Sequence, residues 1–297
     1  MLCSRRRFLF AGGAAVASLA AFGSRQAGAV DAAKPGAKVK FSSWLIPLRG
    51  DLDQQLDFVE RAGFEAVELR GTIANNKQIW LNALSKRRLP VSALDWGHFT
   101  DMVSESPEKR QKSIDSLKFA IDAAHELKAP VLICVPPRHG RGVTLPDPAA
   151  TRKILLETLA PLGELAAKAG TCIGIEAVDR KSVNCLHTLV EVAGFCRESK
   201  SPGLGMVADF CIMIQEETNQ TGAFLSGGAY VKQVHLSSRG RLLPGERKED
   251  EQLFLEGFRG LKMIGYQGYC SFESGKANYE QGVTKSMTFL RDIWARA

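Results

Sequence analysis

The run Gly170-Thr171-Cys172-Ile173-Gly174-Ile175-Glu176-Ala177-Val178-Asp179-Arg180 is small and apolar, ends on a carboxylate and then turns polar. Such a run is a buried parallel strand whose last residue faces a pocket. The plan recurs along the chain. Gly63 to Leu69 carries Glu68, Gly203 to Asp209 ends on aspartate, Val231 to His235 ends on an imidazole, and Gly265 to Glu273 ends on glutamate. Glu176, Asp209, His235 and Glu273 therefore close successive strands, with Glu68 and Asp95 closing two earlier ones. Carboxylates that face one another in a partly dry pocket repel, and some take up protons. A divalent cation removes that conflict. Oxygen donors with one imidazole suit Mn²⁺, Mg²⁺ or Co²⁺, and Zn²⁺ is also accommodated. Taken singly, each acid has another reading, a strand-end group held by backbone N–H donors or a lysine. The chemistry open to the set is proton transfer next to a carbonyl, where a carboxylate takes the proton and a cation steadies the enediolate.

The elements between these residues read as their frame. Val39 to Trp44 alternates like a first strand, and Asp51 caps a helix whose Leu52, Leu56 and Val59 share a face until Gly63. The second strand is Phe64 to Leu69, a helix covers Lys77 to Lys86, and Leu89 to Leu94 is a third strand ending at Asp95. Pro107 opens a helix with Ile114, Leu117, Ile121, Ala124 and Leu127 on its buried stripe, followed by the apolar strand Pro130 to Val135. Asp147-Pro148 is an N-cap with proline at the first helical position. Ser182 to Glu198 reads as a helix, Glu251 to Ile264 is amphipathic, and Val283, Met287, Leu290 and Trp294 mark a last helix. Apolar strands alternating with amphipathic helices in eight units predict an α/β fold, a single (β/α)8 TIM barrel over residues 39–297. No glycine-rich dinucleotide fingerprint follows the first strand, which counts against an open doubly wound sheet. In the barrel, strand C-terminal ends converge on one mouth, so the four residues surround one point.

Composition narrows the partners. At 45% hydrophobic and 24% charged the chain has the make-up of a globular protein. Ser4-Arg5-Arg6-Arg7-Phe8-Leu9 is a twin-arginine pattern, an apolar run extends to Phe22, and Ala27-Gly28-Ala29 offers a small-residue cleavage site. Residues 1–29 are thus expected to be a signal peptide and 30–38 a linker. About 15 apolar residues fall short of the roughly 20 that span a bilayer, so no stable membrane anchor is expected. The expected location is periplasmic or secreted, reached through the twin-arginine export machinery, which carries folded proteins. Removing Arg5, Arg6, Arg7 and Arg25 takes the formal charge from +7 to +3, too little to indicate nucleic acid binding. The cysteines form no CxxC pair, and Cys134, Cys172, Cys211 and Cys270 sit in apolar runs as small hydrophobes.

The ordered endings Ile175-Glu176, Ala208-Asp209, Val234-His235 and Phe272-Glu273 resemble those of the xylose isomerase-like barrels, specifically the sugar phosphate isomerase/epimerase group. The resemblance spans nearly the whole mature chain. It implies that Glu176, Asp209, His235 and Glu273 bind one divalent metal, as in the ketose 3-epimerases. It also implies that Glu176 and Glu273 act as acid and base on opposite faces of a small sugar or polyol. His235-Leu236-Ser237-Ser238-Arg239-Gly240-Arg241 matches the epimerases' histidine-to-arginine spacing, which makes Arg241 a ligand for substrate hydroxyls. Pro244-Gly245-Glu246 resembles the turn that follows.

Two positions depart from the pattern. Ile212 stands where the epimerases carry a histidine, and Ser182 where they carry a further glutamate. Trp96-Gly97-His98-Phe99 offers an aromatic ring and the His98 imidazole to a sugar, with loop packing as the alternative. Pro136-Pro137-Arg138-His139-Gly140-Arg141-Gly142 offers His139 and two arginines to a carboxylate or phosphate, or is a solvated basic loop. His125 and His187 are expected on helices in structural roles, and Asp179-Arg180 as a local ion pair. The leading expectation is a secreted metal-dependent isomerase or epimerase working through an enediolate. The competing ones are a keto-sugar or inosose dehydratase on the same scaffold and a catalytically silent sugar-binding barrel. A phosphodiesterase would need a multi-metal cluster and more histidines than the five present.

Overall fold

The computed structural model describes residues 38–45, 48–71, 76–139, 145–275 and 278–297. The leader, nearly all of the linker and Gly140 to Gly142 lie outside these. Eight parallel strands close in sequence order into a barrel: β1 Lys40–Trp44, β2 Ala66–Arg70, β3 Val91–His98, β4 Val131–Val135, β5 Cys172–Glu176, β6 Leu204–Asp209, β7 Val231–Leu236 and β8 Tyr269–Phe272. Outside lie α1 Leu52–Ala62, α2 Lys77–Ser85, α3 Pro107–Glu126, α4 Pro148–Lys168, α5 Leu189–Ser199, α6 Phe210–Glu216, α7 Gln220–Gly227, α8 Asp250–Met263 and α9 Tyr279–Arg296. No helix among the described residues is long and apolar enough to cross a membrane.

Alternation along the strands separates two cores. Outward residues and the helices form the large one: Phe41 meets Phe272 edge-on at 5.4 Å, and Phe210 of α6 packs on Phe254 of α8 at 4.6 Å. Each such ring, fully buried, contributes about 1.5–3 kcal/mol. Inside the barrel a small cluster of Ala93, Val131, Ile133 and Val207 lies below the mouth. Gly174 makes room for it, since a Cβ there would stand 2.8 Å from Val131 Cγ1 and 3.0 Å from Val207 Cγ2. Glu176, two residues on, faces the same interior one layer higher.

Several boundaries differ from the sequence reading. β3 runs past Asp95 to His98, with a register shift against β4 between Asp95 and Gly97 and a φ of 91° at Gly97. A side chain there would be strained, so glycine lets the strand bulge and continue to the mouth. The helix expected from Ser182 starts only at Leu189, where Thr188 and Glu191 form a capping box. His187 is therefore a loop residue, its Nδ1 3.1 Å from the Val178 carbonyl. Asp179 and Arg180 do not pair. Asp179 accepts from Ser182 Oγ at 2.9 Å and the Lys181 N–H at 3.1 Å, while Arg180 Nε reaches Glu216 at 2.6 Å. All six described cysteines are free thiols.

Candidate active site

At the C-terminal ends of β5 to β8, ligand atoms of Glu176, Asp209, His235 and Glu273 all lie within 4.8 Å of one another. Asp209, His235 and Glu176 are buried, and Glu273 is partly exposed. Each is held by its own element. Asp209 ends β6 and caps α6, with Oδ1 accepting from the Cys211 N–H at 2.9 Å. Its other oxygen, Oδ2, is buried without a hydrogen bond, although Arg241 Nη2 stands 2.6 Å away as an ion pair. His235 is held from both sides. Nε2 faces Glu68 Oε1 at 3.1 Å, whereas Nδ1 faces Glu176 Oε1 at 3.3 Å and Glu273 Oε2 at 3.0 Å.

This donor set fits a divalent cation. Three carboxylates and an imidazole nitrogen converge, and the buried Asp209 Oδ2, which accepts no hydrogen bond and meets only the Arg241 charge, has lone pairs left for a metal. Glu68 decides which imidazole nitrogen is free to ligate. A proton on Nε2 is donated to Glu68, leaving Nδ1 as the lone pair that faces the carboxylates. Glu68 is in turn fixed by Gln233 Nε2 at 2.7 Å. Gln233 and His235 are two apart on β7 and share the interior face.

The electrostatics reflect the crowding. Burial raises Glu176 to about 7 despite its contact with His235. Burial also works against ionised Glu273, but His235 and Arg241 outweigh it and hold that carboxyl below its usual range. For His235, burial opposes charge, yet Glu68 and Glu273 raise its pKa well above that of a free imidazole. Arg241 sits on a tight turn in which its own N–H donates to the Ser238 carbonyl at 3.0 Å. Its φ of 60° costs about 1–2 kcal/mol for a residue with a side chain. Asp250, the first residue of α8, pins that turn by accepting from Ser238 Oγ at 2.5 Å and the Gly245 N–H at 2.8 Å. The guanidinium thereby reaches Glu273 Oε2 at 2.6 Å.

A cavity of about 450 Å³ opens above the four groups, with Trp44, Trp96, His98, Arg138 and Arg241 among the residues lining it. The structure thus brings together Glu176, Asp209, His235, Glu273, Arg241 and His98. It does not bring in His139, which is exposed, is not among the lining residues and donates its backbone N–H to the Ser182 carbonyl at 2.8 Å. Its neighbour Arg138 lines the wall instead. Ser182 and Ile212 both line the cavity, so the two departures from the epimerase pattern fall where a ligand would touch them. Sequence reasoning noted Glu68 but not its grip on His235, and it missed Arg70, which ends β2 two residues further along the same face.

Asp95 also lines the cavity, and burial, reinforced by Glu68, raises its carboxyl from the ordinary 3.8 to about 7. The folded chain then keeps a proton that the unfolded chain gives up, so stability is lost as pH rises from about 4 through about 7. In chelator-treated protein, Asp95→Asn should melt well above the native chain at about pH 8 and level with it at about pH 4, a difference on the order of a few kcal/mol. Equal melting-temperature differences at both pH values would contradict the buried, proton-holding Asp95.

Comparison with known proteins bears on the fold and the family. Residues 56–293 match the family described as xylose isomerase-like TIM barrel. The 3-dehydro-D-guloside 4-epimerase of Escherichia coli (strain K12) is 24% identical over 249 residues, covering 80% of this chain and 93% of that protein. The ketose 3-epimerase of Arthrobacter globiformis is 28% identical over 241 residues, 79% of this chain and 81% of that protein. The crystal structure of apo 3-keto-D-glucoside 4-epimerase from E. coli superposes with a TM-score of 0.76 at 22% identity, covering 86% of this chain and all of that one.

Proposed function

The chain belongs to the xylose isomerase-like TIM barrel family, and on that footing we propose that it is a sugar isomerase or epimerase that moves a proton next to a carbonyl. The observation that carries this reading is the convergence of Glu176, Asp209, His235 and Glu273 within 4.8 Å below an open cavity. The epimerases among its relatives support it. When bound, a divalent ion held by Glu176, Asp209, His235 Nδ1 and Glu273 supplies positive charge that polarises the substrate oxygen.

The chain's own groups do the rest. Glu176 and Glu273 come from β5 and β8, three strands apart around the mouth, and so flank a small ligand from two sides. One carboxylate takes the proton from the carbon beside the carbonyl, and the C–H electrons pass into an enediolate. The other returns a proton to the opposite face, which inverts the carbon. Arg241 orients substrate hydroxyls. Val135, Val178 and Ile212 line the cavity with apolar surface that limits water.

The test is product formation. The mature chain, loaded with Mn²⁺ or Co²⁺, is incubated with a panel of ketoses and 3-keto-glycosides and the products are separated by chromatography. A new epimer or isomer is the expected result. A dehydrated product would assign a lyase, and an unchanged panel with measurable sugar binding would assign a silent barrel. We propose further that the protein works outside the cytoplasm. Replacing both Arg5 and Arg6 by lysine should strand the precursor inside the cell, and undiminished periplasmic delivery would refute export by the twin-arginine route.

A further inference from the structure

The mouth of the barrel is electrically divided. The acidic metal-binding set closes β5 to β8, whereas Arg70 ends β2, His98 ends β3 and Arg138 follows β4 by three residues. All three line the same cavity as Glu176 and Glu273. Because the sheet closes in sequence order, Arg70, His98 and Arg138 lie across the opening from the acids of β5 to β8, with Asp95 on β3 and Arg241 after β7 the charges that cross this division.

The arginines of the two halves are used differently. Arg241 pairs with Asp209 and Glu273 and has only its remaining N–H groups for substrate hydroxyls. Elsewhere on the barrel Arg87 reaches Asp53 and Asp57, and Arg180 reaches Glu216. Among the described residues the Arg70 and Arg138 guanidinium groups have no hydrogen-bond or ion-pair partner. Asp95 is the register neighbour of Arg70 and feels its positive charge, although no ion pair joins the two side chains. The segment bridged to Arg138 is neutral Ser182-Val183. Trp44, also in the wall, keeps a buried indole N–H with no acceptor. Two unspent guanidinium forks at a concave site concentrate anions and match the oxygens of a carboxylate or phosphate.

We infer that the substrate carries an anionic group, a carboxylate or a phosphate ester, held by Arg70 and Arg138 at the end remote from the carbon that reacts. This rests on the proton-transfer reading of the same cavity and adds its substrate class. A sugar so bound spans the mouth, with its carbonyl over the acidic half and its charge over the basic half.

Calorimetry on the metal-loaded mature chain tests this with three probes: D-fructose, the same ketose with C6 oxidised to a carboxylate, and D-fructose 6-phosphate. At low ionic strength at least one charged probe should bind about tenfold or more tighter than the neutral one. That ratio should collapse toward one in an Arg70→Gln, Arg138→Gln double variant, and it should shrink in high salt. Whichever charged probe keeps the larger preference identifies the group. Both arginines are exposed, so the variant should fold, which its melting temperature checks. Weak, equal or absent binding of both charged probes, or a preference that survives in the double variant, overturns the inference. Solvent deuterium in the recovered probes, read from the same samples, separates the two claims. Exchange without charge preference removes only the anion site, and charge preference without exchange removes only the proton-transfer reading.

Discussion

Glu176→Gln and Glu273→Gln, made one at a time, should each abolish net conversion of the substrate while leaving the fold intact. The amide keeps the shape of the side chain but cannot hold and return a proton. Losing a positioned acid or base costs about 10²–10⁴ in rate. The informative part is the residue of activity. Inversion needs both carboxylates, but removal and return of a proton on one face needs only one, so one variant should still wash solvent deuterium into the substrate without forming the epimer. Single-turnover mixtures in D2O, read by NMR for label and by chromatography for product, distinguish these. If either variant turns over like the native enzyme, that glutamate is a ligand or wall group and no more.

Asp209→Ala and His235→Ala should show the second large effect, on metal rather than on protons. A ligand present at 100-fold its Kd stabilises the native state by about 2.7 kcal/mol. Native protein should therefore melt several degrees higher in Mn²⁺ or Co²⁺, and both variants should lose that rise. Asp209 is the sharper case, because Oδ1 already serves the α6 cap and Oδ2, now facing only the Arg241 charge, is the oxygen left to ligate. Glu68→Gln should weaken binding less, by about 10–100-fold, since it releases the imidazole but removes no ligand. A metal-dependent rise of native size in Asp209→Ala would place the ion elsewhere.

The barrel and its four-residue site were legible because the signal is local and repeated. β5 to β8 are apolar runs that end on, or within one residue of, an acid or imidazole, and the closed topology brings those ends together. What was hidden depends on partners far apart in sequence. Glu68 lies 167 residues from His235, and nothing in the second strand announces that pairing. Arg70 reads as an ordinary charge after a strand, and only the folded cavity shows it in the wall without an ion pair among the described residues. Other signals were present but outweighed. Thr188-x-x-Glu191 marks the true start of α5, yet the apolar periodicity before it suggested an earlier one. Asp179 and Arg180, as neighbours in sequence, suggested an ion pair. The turn at Ser182 takes the carboxylate, and Glu216, from α6, takes the guanidinium. The short helices α6 and α7 went unread because neither is long enough to show a periodic stripe.

Under the proposed function, Glu176 and Glu273 move protons on a sugar at a site that a divalent ion completes. Solvent deuterium entry into a keto-sugar, measured by NMR on native mature protein before chelation, after chelation and after metal is restored, tests it most directly. Label should enter the carbon next to the carbonyl, cease when the metal is stripped and resume when Mn²⁺ or Co²⁺ is returned. A ligand that binds the native, metal-loaded chain yet never acquires deuterium, or one that exchanges equally well in chelator, would contradict the account.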